Sequence, residues 1–140
     1  MQHPKQTPTI EDNFLYTALQ KGGIISLPAI NGDVAHWCLA AKQLNFWVCV
    51  ISCTGITSKA ALLTTLADSL NFPDHFGINL DALYDCLTDF LLQQKQIGTV
   101  LILEGTHLLN SITINPILDT LLDVAEFMHP KGHRLSIITC

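Results

Sequence analysis

Two hydrophobic patterns alternate along the chain, one typical of buried strands and one of helices with a single buried face. Two mostly apolar runs are rich in β-branched residues, Phe46–Ser52 and Thr99–Glu104. Such runs indicate buried strands, as in parallel sheets that are covered on both faces. A third strand candidate, Arg134–Thr139, closes the chain. The shorter run Ile24–Leu27, which Pro28 ends, is a fourth strand candidate.

Between these runs, apolar residues recur every three or four positions, and capping residues mark where each helix begins. The predicted helices run from Thr9 to about Gln20, from Asn31 or Asp33 to about Gln43, from Ser58 to Leu70, from Asn79 to Leu92, and from Pro116 to a stop at Pro130. Strands that alternate with helices predict an α/β fold. We expect a small three-layer or two-layer domain with a mostly parallel sheet of three or four strands, flanked by helices.

The chain divides at the first strong strand. Residues 1–44 predict an N-terminal helix–strand–helix extension, and residues 45–140 predict the main α/β domain. A unit of 44 residues is too short to bury a stable core by itself. We therefore expect the extension to pack on the domain.

Composition favours a folded protein outside the membrane. Hydrophobic residues make up 49% of the chain and charged residues 14%, which argues against disorder. The most apolar helical stretch, Leu108–Val124, contains Asn110, Asp119 and Asp123, which would be costly in a bilayer. The N-terminus lacks the apolar run of a secretory signal, so we expect a cytoplasmic protein. The five cysteines are interpreted as small apolar residues in a reducing compartment.

Negative charge is concentrated in one segment of the chain. The formal net charge is −5, and five of the twelve acidic residues lie between positions 68 and 89: Asp68, Asp74, Asp81, Asp85 and Asp89. That segment has no lysine or arginine. Its sign opposes direct nucleic-acid binding and favours a partner protein with a basic surface. A solvated acidic helix face is the structural alternative.

The predicted helix from Asn79 to Leu92 has two distinct sides on a wheel of about 100° per residue. Its leucines fall on one side: Leu80, Leu83, Leu87 and Leu91. Its aspartates fall nearly opposite: Asp81, Asp85 and Asp89. Thr88 and Ala82 lie at the edges of the acidic side. We therefore expect one buried face and one acidic face, with Phe90 turned toward the core.

Structural roles account for only part of this segment. Gly77 is expected at a turn that needs a positive φ, and Asn79 is expected to cap the helix. Asp81 lies in the first turn, where the helix dipole favours an anion by ~0.3–1 kcal/mol. Asp85 and Asp89 lie beyond the reach of the dipole, so a binding role explains them better.

A family resemblance becomes specific at this point. The run Pro73-x-x-Phe76-Gly77-x-Asn79-Leu80-Asp81-Ala82-Leu83-x-Asp85-Cys86-Leu87-Thr88 resembles the signature of the barstar family of ribonuclease inhibitors. The predicted order of elements from about Asn45 to Cys140 is similar to that family, and longer barstar-like proteins with an N-terminal extension resemble the whole chain. The resemblance implies a protein without catalytic activity. Its signature helix and preceding turn would plug the active site of a small secreted guanyl-type ribonuclease.

The resemblance also implies a set of partner-binding residues: His75, Gly77, Asn79, Asp81, Tyr84, Asp85, Thr88 and Asp89. Asp85 would be the central mimic of an RNA phosphate and Asp81 the second, while His75 would stack on catalytic residues of the partner. A further acidic contact is expected from Asp123 or Glu126. The resemblance implies no cofactor, no metal, no membrane and no direct nucleic-acid contact.

Three positions depart from the family pattern. His75 stands where relatives usually have tyrosine or tryptophan, and Tyr84 stands where tryptophan is more usual. Asp89 stands where the compact inhibitor has glycine. These departures leave open which ribonuclease is the target, and whether the target is made by the same cell or delivered by another.

The residues alone are also compatible with three other functions. The same fold would serve an immunity protein against a basic toxin that is not a ribonuclease. A hydrolase would pair Cys86 with His75 or His107, although neighbouring aspartates would raise the pKa of a thiol in the middle of a helix. A metal-binding scaffold would use His107, His129, His133 and the cysteines, but Pro130 and Gly132 prevent His129 and His133 from sharing one helix face.

Overall fold

The computed structural model describes residues 10–28 and 33–140. In chain order, its helices and strands are α1 (Ile10–Lys21), β1 (Gly23–Ser26), α2 (Asp33–Gln43), β2 (Phe46–Ser52), α3 (Lys59–Ser69), α4 (Leu80–Leu92), β3 (Gly98–Glu104), α5 (Ser111–Met128) and β4 (Arg134–Thr139). Short 3₁₀ turns follow β3 at Thr106–Leu108 and α5 at His129–Lys131. Two predicted helix starts, Thr9 and Asn31, lie outside the described residues.

The four strands form one parallel sheet in the order β1-β4-β3-β2, which confirms the predicted α/β fold. In its register, Phe46 pairs with Gly98, and Gly98 pairs with Arg134. The strand from the N-terminal extension joins this sheet, because Gly23 pairs with Ser136 at the edge of β4. The sheet therefore combines strands from both ends of the chain.

Helices cover both faces of the sheet and give the molecule three layers. Successive residues of β3 face opposite sides, as they must in a strand. Leu101 and Leu103 belong to the core beneath α3, α4 and α5, whereas Val100 and Ile102 belong to the core beneath α1 and α2. Helix α4, which carries Asp81, Asp85 and Asp89, therefore lies on the opposite side of the sheet from α1 and α2.

The start of α5 differs from the prediction. Pro116 was expected at the first helical position, but the helix begins at Ser111 and Pro116 lies inside it. Asn110 explains the earlier start, because its side chain accepts a hydrogen bond from the backbone N–H of Ile112 at 2.9 Å. Pro116 lies in the second turn, where it removes one backbone hydrogen bond, and the helix continues past it to Met128.

Helix α4 is anchored by its leucines and by one aromatic contact. Leu83, Leu87 and Leu91 are fully buried, as the helical wheel predicted. The ring of Phe90 packs edge-on against Trp47 of β2, with centroids 5.1 Å apart. This contact agrees with the structural role expected for Phe90. It fixes the helix against the sheet and leaves the opposite side of α4 available to solvent.

Candidate functional site

The turn before α4 is built around Phe72, Phe76 and Ile78. The rings of Phe72 and Phe76 lie 5.5 Å apart, and the N–H of Phe76 donates to the carbonyl of Pro73 at 3.0 Å. The prediction of a positive φ at Gly77 is wrong. The left-handed residue is Ile78, with a φ of 49°. A β-branched residue is strained in this conformation, and the side chain of Ile78 is half exposed.

Asn79 caps the helix, as its position predicted. Its side-chain oxygen accepts from the N–H of Ala82 at 2.8 Å, and its side-chain nitrogen lies 3.2 Å from the carbonyl oxygen of Gly77. A Cβ on residue 77 would lie 3.2 Å from the same nitrogen. The close approach of the Asn79 amide therefore favours glycine at position 77, because a larger residue would crowd the cap.

Asp81, Asp85 and Asp89 form one exposed row along α4, which we call the acidic arc. Among the residues that the structure describes, none of the three carboxylates has an ion-pair partner. Aspartates spaced four apart on a helix repel one another. The row is therefore an unneutralised negative surface held on a rigid element.

Thr88 does not lie at the edge of the acidic arc, contrary to the prediction. Its side chain is buried, and its hydroxyl has no hydrogen-bond partner in the structure. Leaving a buried hydroxyl unpaired is unfavourable by about 1–3 kcal/mol. The wheel gave the direction of Thr88 on α4, but it describes one helix alone and carries no information about the elements packed around it.

His75 and Tyr84 flank the acidic arc differently. His75 is exposed in the turn. Tyr84 is half-buried, and its ring packs edge-on against Phe127 of α5 with centroids 6.1 Å apart. The Nζ of Lys131 lies 4.9 Å from the centroid of Phe127. Sequence reasoning missed Phe127 and Lys131, because their position depends on how two helices pack.

The two acidic candidates on α5 occupy different positions. Glu126 lines a cleft together with Lys21 and Arg134. Asp123 is exposed and lies one helical turn before Phe127, so it lies close to the side of α5 that faces Tyr84. Of the two, Asp123 is better placed to extend the acidic arc.

Cys86 has the environment of an unreactive thiol. Burial raises its pKa, and the charges of Asp89 and Asp85 raise it further. Because the thiolate is the nucleophilic form, both effects lower its reactivity at neutral pH. The direction agrees with the expectation from the sequence and disfavours a hydrolase centred on this residue.

The described part of the chain has a cleft away from the acidic arc and no cluster of metal-binding side chains. Residues 10–28 and 33–140 contain no group of three or more His, Cys, Asp or Glu side chains that would hold a metal ion. A cleft of about 590 Å³ lies at the carboxyl ends of β1 and β4, between Ser26, His107 and Thr139. It includes no residue of the acidic arc. Within the same described ranges, no helix has the length and hydrophobicity to span a membrane.

Comparison with known families decides the relationship. The family model described as Barstar (barnase inhibitor) matches residues 46–139, which is about two thirds of the chain. This chain belongs to the barstar family. The match begins at β2 and ends with β4, so it contains α4, the acidic arc and the turn before it.

One curated relative matches this barstar-family chain over a short segment only. One is named "Putative ribonuclease inhibitor YrdF" and comes from Bacillus subtilis (strain 168). It is 62% identical over 26 residues, which are 19% of this chain and 29% of the relative. The chain thus matches less than a third of that curated relative's length.

A solved structure shares the fold. It is the crystal structure of Cdc6p from Pyrobaculum aerophilum, with a TM-score of 0.58 and 17% sequence identity. The similarity covers 97% of this chain and 40% of the other chain. At this identity it shows that the arrangement of helices and strands is similar, including elements before residue 46.

Proposed function

We propose that this chain is an intracellular inhibitor of the immunity type, which binds a small basic ribonuclease and blocks its active site. The acidic arc would take the place of RNA phosphates. Membership of the barstar family supports an inhibitor role, and the unneutralised row of carboxylates supports a cationic partner.

Asp85 carries the proposal. It is exposed, it lies in the middle of α4 beyond the reach of the helix dipole, and it has no ion-pair partner among the described residues. No fold-stabilising contact in the structure accounts for a carboxylate there. A ribonuclease active site contains cationic groups that bind phosphate, and such groups would complement Asp85 directly.

The neighbouring residues would shape the contact. Asp81 and Asp89 would extend the negative surface along α4, and His75 and Tyr84 would flank it. Gly77 and Asn79 would present the turn by keeping the cap in place, since the Asn79 side chain donates to the backbone carbonyl of Gly77 and accepts from the N–H of Ala82. Asp123 would supply the further acidic contact. Burial removes Thr88 from direct contact with a partner.

The test is affinity capture from the source cells and their medium. The wild-type chain, Asp85→Ala and the Asp81→Ala/Asp85→Ala double variant are immobilised in parallel. Asp119→Ala is the matched control, because it removes one exposed carboxylate from α5 instead of α4. Retained proteins are assayed for RNA cleavage with and without added wild-type chain.

We expect the wild-type chain and Asp119→Ala to retain a small basic protein that cleaves RNA, and to inhibit that cleavage. The double variant should lose this protein while remaining folded, with a cooperative thermal unfolding transition. Equal retention by the double variant would contradict the proposal. A basic protein that depends on Asp85 but has no ribonuclease activity would instead indicate an immunity protein against a different toxin.

A further inference from the structure

A continuous set of contacts leads from the acidic arc to a positive charge. Tyr84 precedes Asp85 in α4, and its ring packs on Phe127 at 6.1 Å. The ammonium group of Lys131 lies 4.9 Å from the centroid of the same Phe127 ring. We call these three residues the Lys131 flank.

Lys131 differs from Arg134, another cation that the structure places near the end of α5. The guanidinium group of Arg134 donates to the backbone carbonyls of Gln20 and His129, so it is held by the protein itself. Lys131 is exposed, and its described contact is with the face of an aromatic ring. A cation over a ring keeps its charge and remains open to a further partner.

Phe127 adds an apolar surface to the positive charge of Lys131. Its ring is 40% exposed although it packs on Tyr84. An aromatic ring and a cation side by side form a surface that suits an apolar contact bordered by a carboxylate. The border between the acidic arc and the end of α5 therefore carries an exposed aromatic ring and a cation, one helical turn beyond the carboxylate of Asp123.

We propose that the Lys131 flank selects the target. It fits a nuclease that carries a carboxylate beside its cationic active site, and it opposes a nuclease whose surface is uniformly cationic there. The inference rests on the proposed function, because it assumes that the acidic arc meets the active site. Like charges facing each other across an interface slow encounter and select against the wrong partner.

The test uses barnase, the enzyme in the family's description, as a probe with a cationic RNA-binding surface. Association rates and affinities are measured for the wild type, Lys131→Gln and Lys131→Glu at low and high salt. Lys42→Glu is the matched control. It makes the same charge change on an exposed residue of α2, on the opposite side of the sheet.

Lys131→Glu is expected to associate with barnase roughly five-fold or more faster than Lys42→Glu at low salt, with Lys131→Gln between Lys131→Glu and the wild type. The difference should shrink at high salt, because ions screen charges separated by more than about 8 Å at physiological ionic strength. Equal rates for the two glutamate variants would overturn the inference. So would the absence of binding by every variant.

A double variant separates this inference from the proposed function. If Lys131→Glu gains binding and Asp85→Ala/Lys131→Glu loses it, both ideas stand. If the double variant binds as tightly as Lys131→Glu, the acidic arc is not the contact, and the proposed function fails. A complex that requires Asp85 but responds equally to Lys131→Glu and Lys42→Glu removes only the role of the flank.

Discussion

The hydroxyl of Thr99 lies 2.9 Å from Nε2 of His133, joining the beginning of β3 to the residue before β4. Both side chains are buried. Burial lowers the pKa of His133, because the protonated ring would lose its hydration, and a backbone hydrogen bond to Gln96 offsets this only in part. The pair thus holds a neutral imidazole in the interior.

This pair predicts a pH dependence of stability. The unfolded chain binds a proton at His133 with the ordinary pKa of about 6.5, whereas the folded chain binds it only at lower pH. Below pH 6.5 the unfolded state therefore holds more protons, so the free energy of unfolding should fall as the pH decreases. Urea unfolding at pH 7.5 and pH 5 measures the change. His133→Gln should reduce the change, and the exposed-site control His107→Gln should not.

Two buried threonines should respond oppositely to the same substitution. Thr99→Val removes the partner of His133, and we expect the free energy of unfolding to fall by about 1–3 kcal/mol. Thr88→Val removes a hydroxyl that has no partner, and we expect a gain of up to about 1 kcal/mol. Urea unfolding of both variants is the measurement. Destabilisation by Thr88→Val would mean that its hydroxyl is satisfied in solution.

The turn before α4 should be more stable with asparagine than with isoleucine at position 78. Ile78→Asn should raise the free energy of unfolding by about 1 kcal/mol, because asparagine adopts a positive φ more readily than a β-branched residue. Ile112→Asn is the control, since Ile112 is also exposed but lies in helix α5. A gain of the same size in the control would show that lost surface hydrophobicity, not backbone strain, is responsible.

Cys86 should react slowly with alkylating reagents at neutral pH. Its raised pKa reduces the thiolate fraction below that of a free cysteine. Mass mapping after brief iodoacetamide treatment gives its labelling rate. Asp85→Asn/Asp89→Asn should increase that rate, because it removes the two charges that oppose thiolate formation. Rapid labelling of the unmodified protein would reopen a role for Cys86 as a nucleophile.

Local patterns were sufficient for the main elements and for the acidic arc. The run Phe46–Ser52 is a strand at the predicted residues, and Asn79 caps α4 as predicted. Each depends on neighbours in sequence, through apolar content or through a side chain that reaches the next helical turn. The exposure of Asp85 followed from the same local reasoning.

Features that depend on packing between elements were not predictable. The wheel did not show that Thr88 is buried, because it contains no information on which helix lies beside α4. The contact of Lys131 with Phe127 likewise depends on how the turn after α5 folds back. The positive φ lies at Ile78 and not at Gly77, because the conformation of the whole turn, and not the residue type alone, decides which position takes it.

The pairing of β1 with β4 has a consequence for the order of folding. The register joins Gly23 to Ser136, so strand β1 pairs with a strand that leaves the ribosome much later. Contacts between residues this far apart in sequence form slowly, since a long loop must close before they contribute. During synthesis, Ile25 has no strand to pair with until β4 emerges. The N-terminal segment is therefore expected to dock last and to be exposed longest to proteases and chaperones.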